Sequence, residues 1–172
     1  RSRVPMIILA ARSPVSEKRG VAGARDIHVQ WSQESFDQAS MVREYVKWDY
    51  ELRNGEQVAA VIERALEVAT AEPQGPVYIS IPRDVQAAAM EEIRTTSETR
   101  RVNGARLMPD PARLDEAADL LASAKHPVIV TSELGRSAAG REALGRLCDV
   151  GGFGVLEASQ SDGMTTATTR SG

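Results

Sequence analysis

The segment Gly75-Pro76-Val77-Tyr78-Ile79-Ser80-Ile81-Pro82 constrains the fold more than any other part of this chain. Gly-Pro marks a turn, and Val77 to Ile81 is a β-rich run whose odd positions, Val77, Ile79 and Ile81, point to one face. Pro82 has no N–H to donate and so ends the ladder. A second run, Val4 to Ala11, is apolar throughout and bounded by Arg12-Ser13-Pro14, the pattern of a strand buried on both faces of a parallel sheet. Between these strands, Val58, Val61, Ile62, Ala65, Leu66 and Ala69 recur at helical spacing and form one apolar stripe. Asn54 and Gln57 have the spacing of an N-cap and its reciprocal partner, and Pro73 with Gly75 closes that helix. Residues 35–45 predict a short helix with Phe36, Met41, Val42 and Tyr45 as its apolar members, leading to a weaker strand at 46–52. This alternation predicts an α/β fold, a parallel sheet flanked by helices.

The texture changes after Asp84. Residues 86–92 can add a helical turn, whereas 94–103 are rich in Thr and Arg and read as a linker. Order restarts at Asp110-Pro111, an N-cap followed by Pro at N1, with Leu114, Ala117, Ala118 and Leu121 as the inward face of a helix. Pro127 to Thr131 reads as a strand. A helix from about Ser137 follows, with Leu144, Leu147 and Cys148 on one side, and then a strand over 153–157. The expected organisation is a first α/β unit over 1–90, a linker over 91–109, the beginning of a second, Rossmann-like α/β domain over 110–158, and a disordered tail over 159–172.

Composition excludes several classes of function. The formal charge of −3 arises from interspersed acids and bases, so no basic stripe points to nucleic acid. The apolar run Val4 to Ala11 is far shorter than the roughly 20 residues a membrane span needs, and no membrane role is expected. Cys148 is the only cysteine, which rules out an intramolecular disulfide and fits a reducing compartment. Gly135 and Gly140 have the glycine spacing of a P-loop, but Arg141-Glu142 stand where Lys-Ser/Thr is required. Gly152-Phe153-Gly154 lacks the third glycine of a dinucleotide fingerprint.

GPVYISIPRDV resembles the segment that closes the pyrimidine-binding domain of thiamine-diphosphate-dependent enzymes of the acetolactate synthase-like group. Ile27-His28-Val29-Gln30-Trp31-Ser32-Gln33-Glu34, followed by Asp37-Gln38 and Val46-Lys47-Trp48, looks like the active-site loop of that family and the elements after it. The resemblance runs from about Val4 to Ala158. It implies that 1–90 are the C-terminal half of a pyrimidine-binding domain and 110–158 the start of the central domain. The activity implied is decarboxylation of a small 2-oxo acid with carboligation, or release, of the resulting carbonyl unit. Thiamine diphosphate and Mg2+ are the implied cofactors, bound mainly outside this chain, and a dimer or tetramer in the cytoplasm is the implied assembly. Some members bind FAD on the central domain, but nothing in this sequence specifies it.

The family's chemistry also needs a glutamate that hydrogen-bonds the pyrimidine and a Gly-Asp-Gly motif for magnesium and diphosphate. Neither is found here, since Glu17 follows the first strand instead of preceding it. The isolated chain is therefore expected to be inactive and, with sheet surface uncovered, poorly soluble, self-associated or partly unfolded. The alternative is a non-catalytic α/β scaffold or dimerisation module.

Two residues are the site candidates. The resemblance implies that Gln33 reaches an active site across a dimer interface, where its amide can donate to and accept from a substrate oxygen. The other reading is a solvated loop Gln, and here Ser32, with Trp31 before it, stands where many members carry an aromatic residue. His28 could act as an acid or base near neutral pH, or be solvated. His126 and Cys148 read as structural. Arg83, Asp84 and Lys47 are open between ligand contacts and caps or ion pairs.

Overall fold

The computed structural model describes residues 3–90, 108–132 and 134–158. The chain divides into two compact units, Arg1–Arg106 and Leu107–Gly172. Apart from Met108 and Pro109, the expected linker 91–109 and the whole expected tail 159–172 lie outside the described residues.

In the first unit, β1 (Met6–Arg12), β2 (Trp48–Glu51) and β3 (Pro76–Pro82) form a parallel sheet in the order β1-β3-β2. Met6 faces Pro76 and Arg12 faces Pro82, while Trp48 faces Val77 and Glu51 faces Ser80. The GPVYISIP segment is therefore the central strand, and Val77, Tyr78, Ile79 and Ser80 are all buried. Helix α2 (Val58–Thr70) packs Ala65 and Ala69 into the core beside Leu52, Val77 and Ile79, with Val58, Val61 and Ile62 half-buried around them. Full burial of Val77 and Ile79 contributes about 1.5 to 3 kcal/mol each. Lys47 donates through Nζ to the carbonyls of Val68 and Ala71, at 2.5 and 2.7 Å, so it caps the C-terminus of α2. Trp48 and Tyr50 stack beside it on β2, with ring centroids 5.4 Å apart.

Several sequence expectations differ from what is observed. Strand β1 is not buried on both faces: it pairs with β3 alone, and Met6 and Leu9 are 50% and 56% exposed. An apolar run reports that a strand can be buried, not that both of its faces are covered. Residues 35–45 form two 3-10 turns, Gln38–Met41 and Arg43–Tyr45, instead of a helix, and Phe36, Met41 and Tyr45 are exposed. Asp37 caps the first turn by accepting from the Ser40 N–H, a local bond that competes with helix propagation. Asn54 likewise caps a 3-10 turn, Gly55–Gln57, accepting from the Glu56 N–H with no reciprocal bond from Gln57.

The second unit contains α4 (Pro111–Ser123), β4 (Val128–Thr131), α5 (Ala138–Gly151) and β5 (Gly154–Glu157). Strands β4 and β5 pair in parallel, Val128 facing Gly154. Asp110 accepts from the Ala112 N–H and Ser137 from the Gly140 N–H, so both helices begin at side-chain caps. Gly152 closes α5 in the left-handed conformation, with φ 64°. The Gly135–Gly140 stretch runs from a 3-10 turn, Leu134–Arg136, into the first turn of α5. On α4 only Leu121 of the expected inward face is half-buried, because a two-stranded sheet gives that stripe little to pack against.

Candidate active-site loop

The long connection from β1 to β2 is a folded element, held by contacts distant in sequence. Asp84, just beyond β3 in α3 (Arg83–Ala87), accepts from the backbone N–H groups of Val15 and Ser16 at 3.1 and 2.9 Å. Gly23 packs against the same short helix with φ 72°, and a Cβ there would lie 2.7 Å from the Arg83 carbonyl oxygen. The Arg83 guanidinium pairs with Asp26 at 3.4 Å. Asp84 and Arg83 thus contact the loop, as the cap or ion-pair reading expects.

Inside the loop, Arg25 is the hub. Its side chain is only 6% exposed; Nε donates to the Pro14 carbonyl at 2.6 Å, and a terminal nitrogen lies 2.5 Å from Glu34 Oε2. The guanidinium also lies over the Trp31 ring, 5.7 Å from its centroid, and Trp31 Nε1 donates to Glu17 at 3.0 Å. Buried Gln30 accepts from the Asp26 N–H at 2.8 Å.

These contacts carry α1 (Val29–Ser32), a single turn with His28 at its N-cap and Gln33 at its C-cap. Both side chains are exposed, and His28 makes no capping bond. The Gln33 N–H donates to the Val29 carbonyl at 2.9 Å, while its side-chain amide has no partner among the described residues. Gln33 and His28 therefore stand at opposite ends of one turn, both exposed, with buried Gln30 between them.

A cleft of about 240 Å³ opens near the carboxyl ends of β1 and β2 and includes Arg12, Gln38, Arg43, Tyr50, Glu51 and Arg53 in its walls. Neither Gln33 nor His28 lines it. Gln38 reaches from its 3-10 turn to the Ala11 carbonyl at 3.0 Å and the Tyr78 hydroxyl at 2.8 Å. Arg43 bridges Asp37 and Asp49 at 2.8 and 2.9 Å. Its hydrogen bond holds the Asp37 pKa below the usual carboxylate range, and the two aspartates raise that of Arg43. Arg12 pairs with Glu51 and, at 3.6 Å, with Glu34. Two of the three cleft arginines are thus neutralised, whereas exposed Arg53 has no partner among the described residues.

Among the described residues there is no group of three or more His, Cys, Asp or Glu that could hold a metal ion. No described helix is long and apolar enough to cross a membrane. In the second unit, half-buried Cys148 lines a cleft of about 310 Å³ with Leu144, Phe153 and Val155. Sequence reading missed the Arg12–Glu34–Arg25 bridge, because no periodicity links a strand end to two loop positions. The one available signal was the place of Glu34 directly after Gln33.

No protein-family model matches the chain. It is 33% identical over 94 residues to benzoylformate decarboxylase of Pseudomonas aeruginosa, a match covering 55% of this chain and 18% of that protein. It is 28% identical over 133 residues to the mitochondrial acetolactate synthase catalytic subunit of Saccharomyces cerevisiae, covering 73% of this chain and 18% of the relative. Its fold matches an X-ray structure described as a thiamin diphosphate-dependent enzyme isolated from Mycobacterium smegmatis, with a TM-score of 0.65 and 29% identity over 95% of this chain and 29% of that one. By sequence and by fold, the proteins this chain is similar to are thiamine-diphosphate-dependent enzymes, acetolactate synthase among them. It spans less than a fifth of the length of these two curated relatives.

Proposed function

We propose that this chain is part of a thiamine-diphosphate-dependent enzyme that decarboxylates a small 2-oxo acid and carries out carboligation with the resulting unit, in the manner of acetolactate synthase. The reading is carried by the structural likeness over 95% of the chain at 29% identity, which extends through both units. In it, residues 1–90 are the C-terminal half of a pyrimidine-binding domain and 110–158 the start of a central domain. The cofactor-activating glutamate and the magnesium–diphosphate motif are supplied from outside these residues. The protein works as a cytoplasmic homo-oligomer.

Within this reading Gln33 is the substrate-contacting residue of the chain. Its exposed amide, free of partners among the described residues, offers both a donor and an acceptor to a substrate oxygen across a subunit interface. A neutral amide can stabilise developing charge without consuming a proton. His28, at the other end of α1, is the candidate proton carrier. Thiamine diphosphate, when bound, supplies the electron sink for decarboxylation.

The test is Gln33→Ala in the full-length protein, assayed for carboligation with 2-oxo acids and for thiamine diphosphate affinity by calorimetry. Loss of one such donor lowers turnover by about a hundredfold or more, with cofactor affinity unchanged. Equal carboligation in the variant would refute the role of Gln33.

A further inference from the structure

Glu34 follows Gln33 directly, and both of its carboxylate oxygens are engaged. Oε2 lies 2.5 Å from a terminal nitrogen of Arg25, and Oε1 lies 3.6 Å from one of Arg12. Arg12 belongs to the end of β1 and also pairs with Glu51 at the end of β2, so the Glu34 carboxylate is tied to the sheet itself. Arg25 anchors the other side, through the Pro14 carbonyl and the face of Trp31.

Exposed ion pairs position little, since solvent screens them and side-chain entropy opposes them. This bridge differs in one respect: the Arg25 side chain is 6% exposed, and Glu34 is its only carboxylate partner among the described residues. A buried guanidinium that loses its counter-charge must recruit water or move. Either response displaces the segment that carries Glu34.

The neighbouring geometry transmits that displacement to Gln33. The Gln33 N–H is bonded to the Val29 carbonyl at 2.9 Å and the Glu34 N–H to the Trp31 carbonyl at 3.3 Å. Gln33 therefore sits between the last bonds of α1 and the two-arginine grip, with backbone angles of −97° and 1°. Its side chain has no partner of its own among the described residues, so the backbone alone sets the point from which the amide reaches out.

We propose that Glu34 is a positioning residue for Gln33: the Arg12–Glu34–Arg25 bridge fixes the backbone from which the Gln33 amide projects. The proposal rests on the reading of Gln33 as the substrate-contacting residue, and it assigns Glu34 no contact with substrate.

The test is a double-mutant cycle in the full-length enzyme with thiamine diphosphate, Mg2+ and a turned-over 2-oxo acid, combined with hydrogen exchange at the amides of Gln33 and Glu34. Glu34→Gln, which keeps an acceptor but removes the charge, should lower kcat by about ten- to a hundredfold through misplacement, leave cofactor affinity unchanged, and accelerate exchange at both amides. In a Gln33→Ala background it should cost nothing further. Glu34→Asp, which keeps the charge on a shorter arm, should recover part of the loss and gives a folded comparison should Glu34→Gln be unstable. Additive losses in the cycle, or full kcat in Glu34→Gln while Gln33→Ala is impaired, would overturn the proposal. If Gln33→Ala is fully active, the site reading fails by itself. Exchange then decides the grip: acceleration in Glu34→Gln supports it, and unchanged rates overturn it as well.

Discussion

Replacing Asp84 by Ala should unfasten the β1–β2 loop without touching the sheet. The carboxylate accepts the N–H groups of Val15 and Ser16 at 3.1 and 2.9 Å, and nothing else among the described residues binds those two donors. Hydrogen bonds to a charged acceptor contribute about 1.5 to 3 kcal/mol each. One of these donors is exposed and the other part-buried, so solvent recovers much of the loss, leaving about 2 to 3 kcal/mol for the pair. That is a sizeable fraction of the roughly 5 to 15 kcal/mol that holds a typical domain together. Native-state hydrogen exchange reads it directly. Opening made easier by that amount accelerates exchange at the Val15 and Ser16 amides by roughly 30- to 150-fold, while the amides of β3 change less. Unchanged exchange at Val15 and Ser16 would refute the view that Asp84 is a loop staple and reopen a ligand-binding role.

Three further outcomes follow from the same structure. Ile79→Ala removes the centre of the core, 1% exposed on the middle strand, and should cost about 2 to 5 kcal/mol in urea denaturation; a loss below about 1 kcal/mol would mean that the core is not where it is drawn. Gly23→Ala places a Cβ 2.7 Å from the Arg83 carbonyl oxygen at φ 72°, and should destabilise by at least about 1 kcal/mol in the same assay, where a neutral result would contradict the close approach to α3. Arg43 lowers the Asp37 pKa below its ordinary 3.8, so the stabilisation is present above that value and is lost as pH falls through the lower, folded-state one. An NMR titration of Asp37 should show the depressed midpoint, and Arg43→Gln should raise it, leaving the smaller depression that the backbone N–H groups of Ser40 and Ala39 provide.

How far the fold could be read beforehand depended on whether local pattern or distant contact decided each element. The central strand was legible because Gly75-Pro76 and Pro82 punctuate a β-rich run at both ends, and α2 because its apolar stripe has helical spacing. Residues 35–45 were not, since Gln38 is drawn to Ala11 and Tyr78, and Arg43 to Asp37 and Asp49, which breaks the segment into two 3-10 turns. The exposed face of β1 was illegible for a different reason: hydrophobicity records the capacity for burial, and covering that face needs surface the described residues do not provide. At the loop, the neighbourhood of Gln33 stood out by its resemblance to a family motif. The Arg12–Glu34–Arg25 bridge depends on partners that only folding brings together.

The central claim is that this chain serves thiamine-diphosphate chemistry on 2-oxo acids. Its most direct test is CO2 release by the protein expressed from its complete gene, supplied with Mg2+ and a panel of 2-oxo acids, with and without thiamine diphosphate. Release from at least one 2-oxo acid, lost when thiamine diphosphate is withheld and restored on its return, is the predicted result. A folded protein that binds no thiamine diphosphate, or binds it and releases no CO2 from any 2-oxo acid, would contradict the claim.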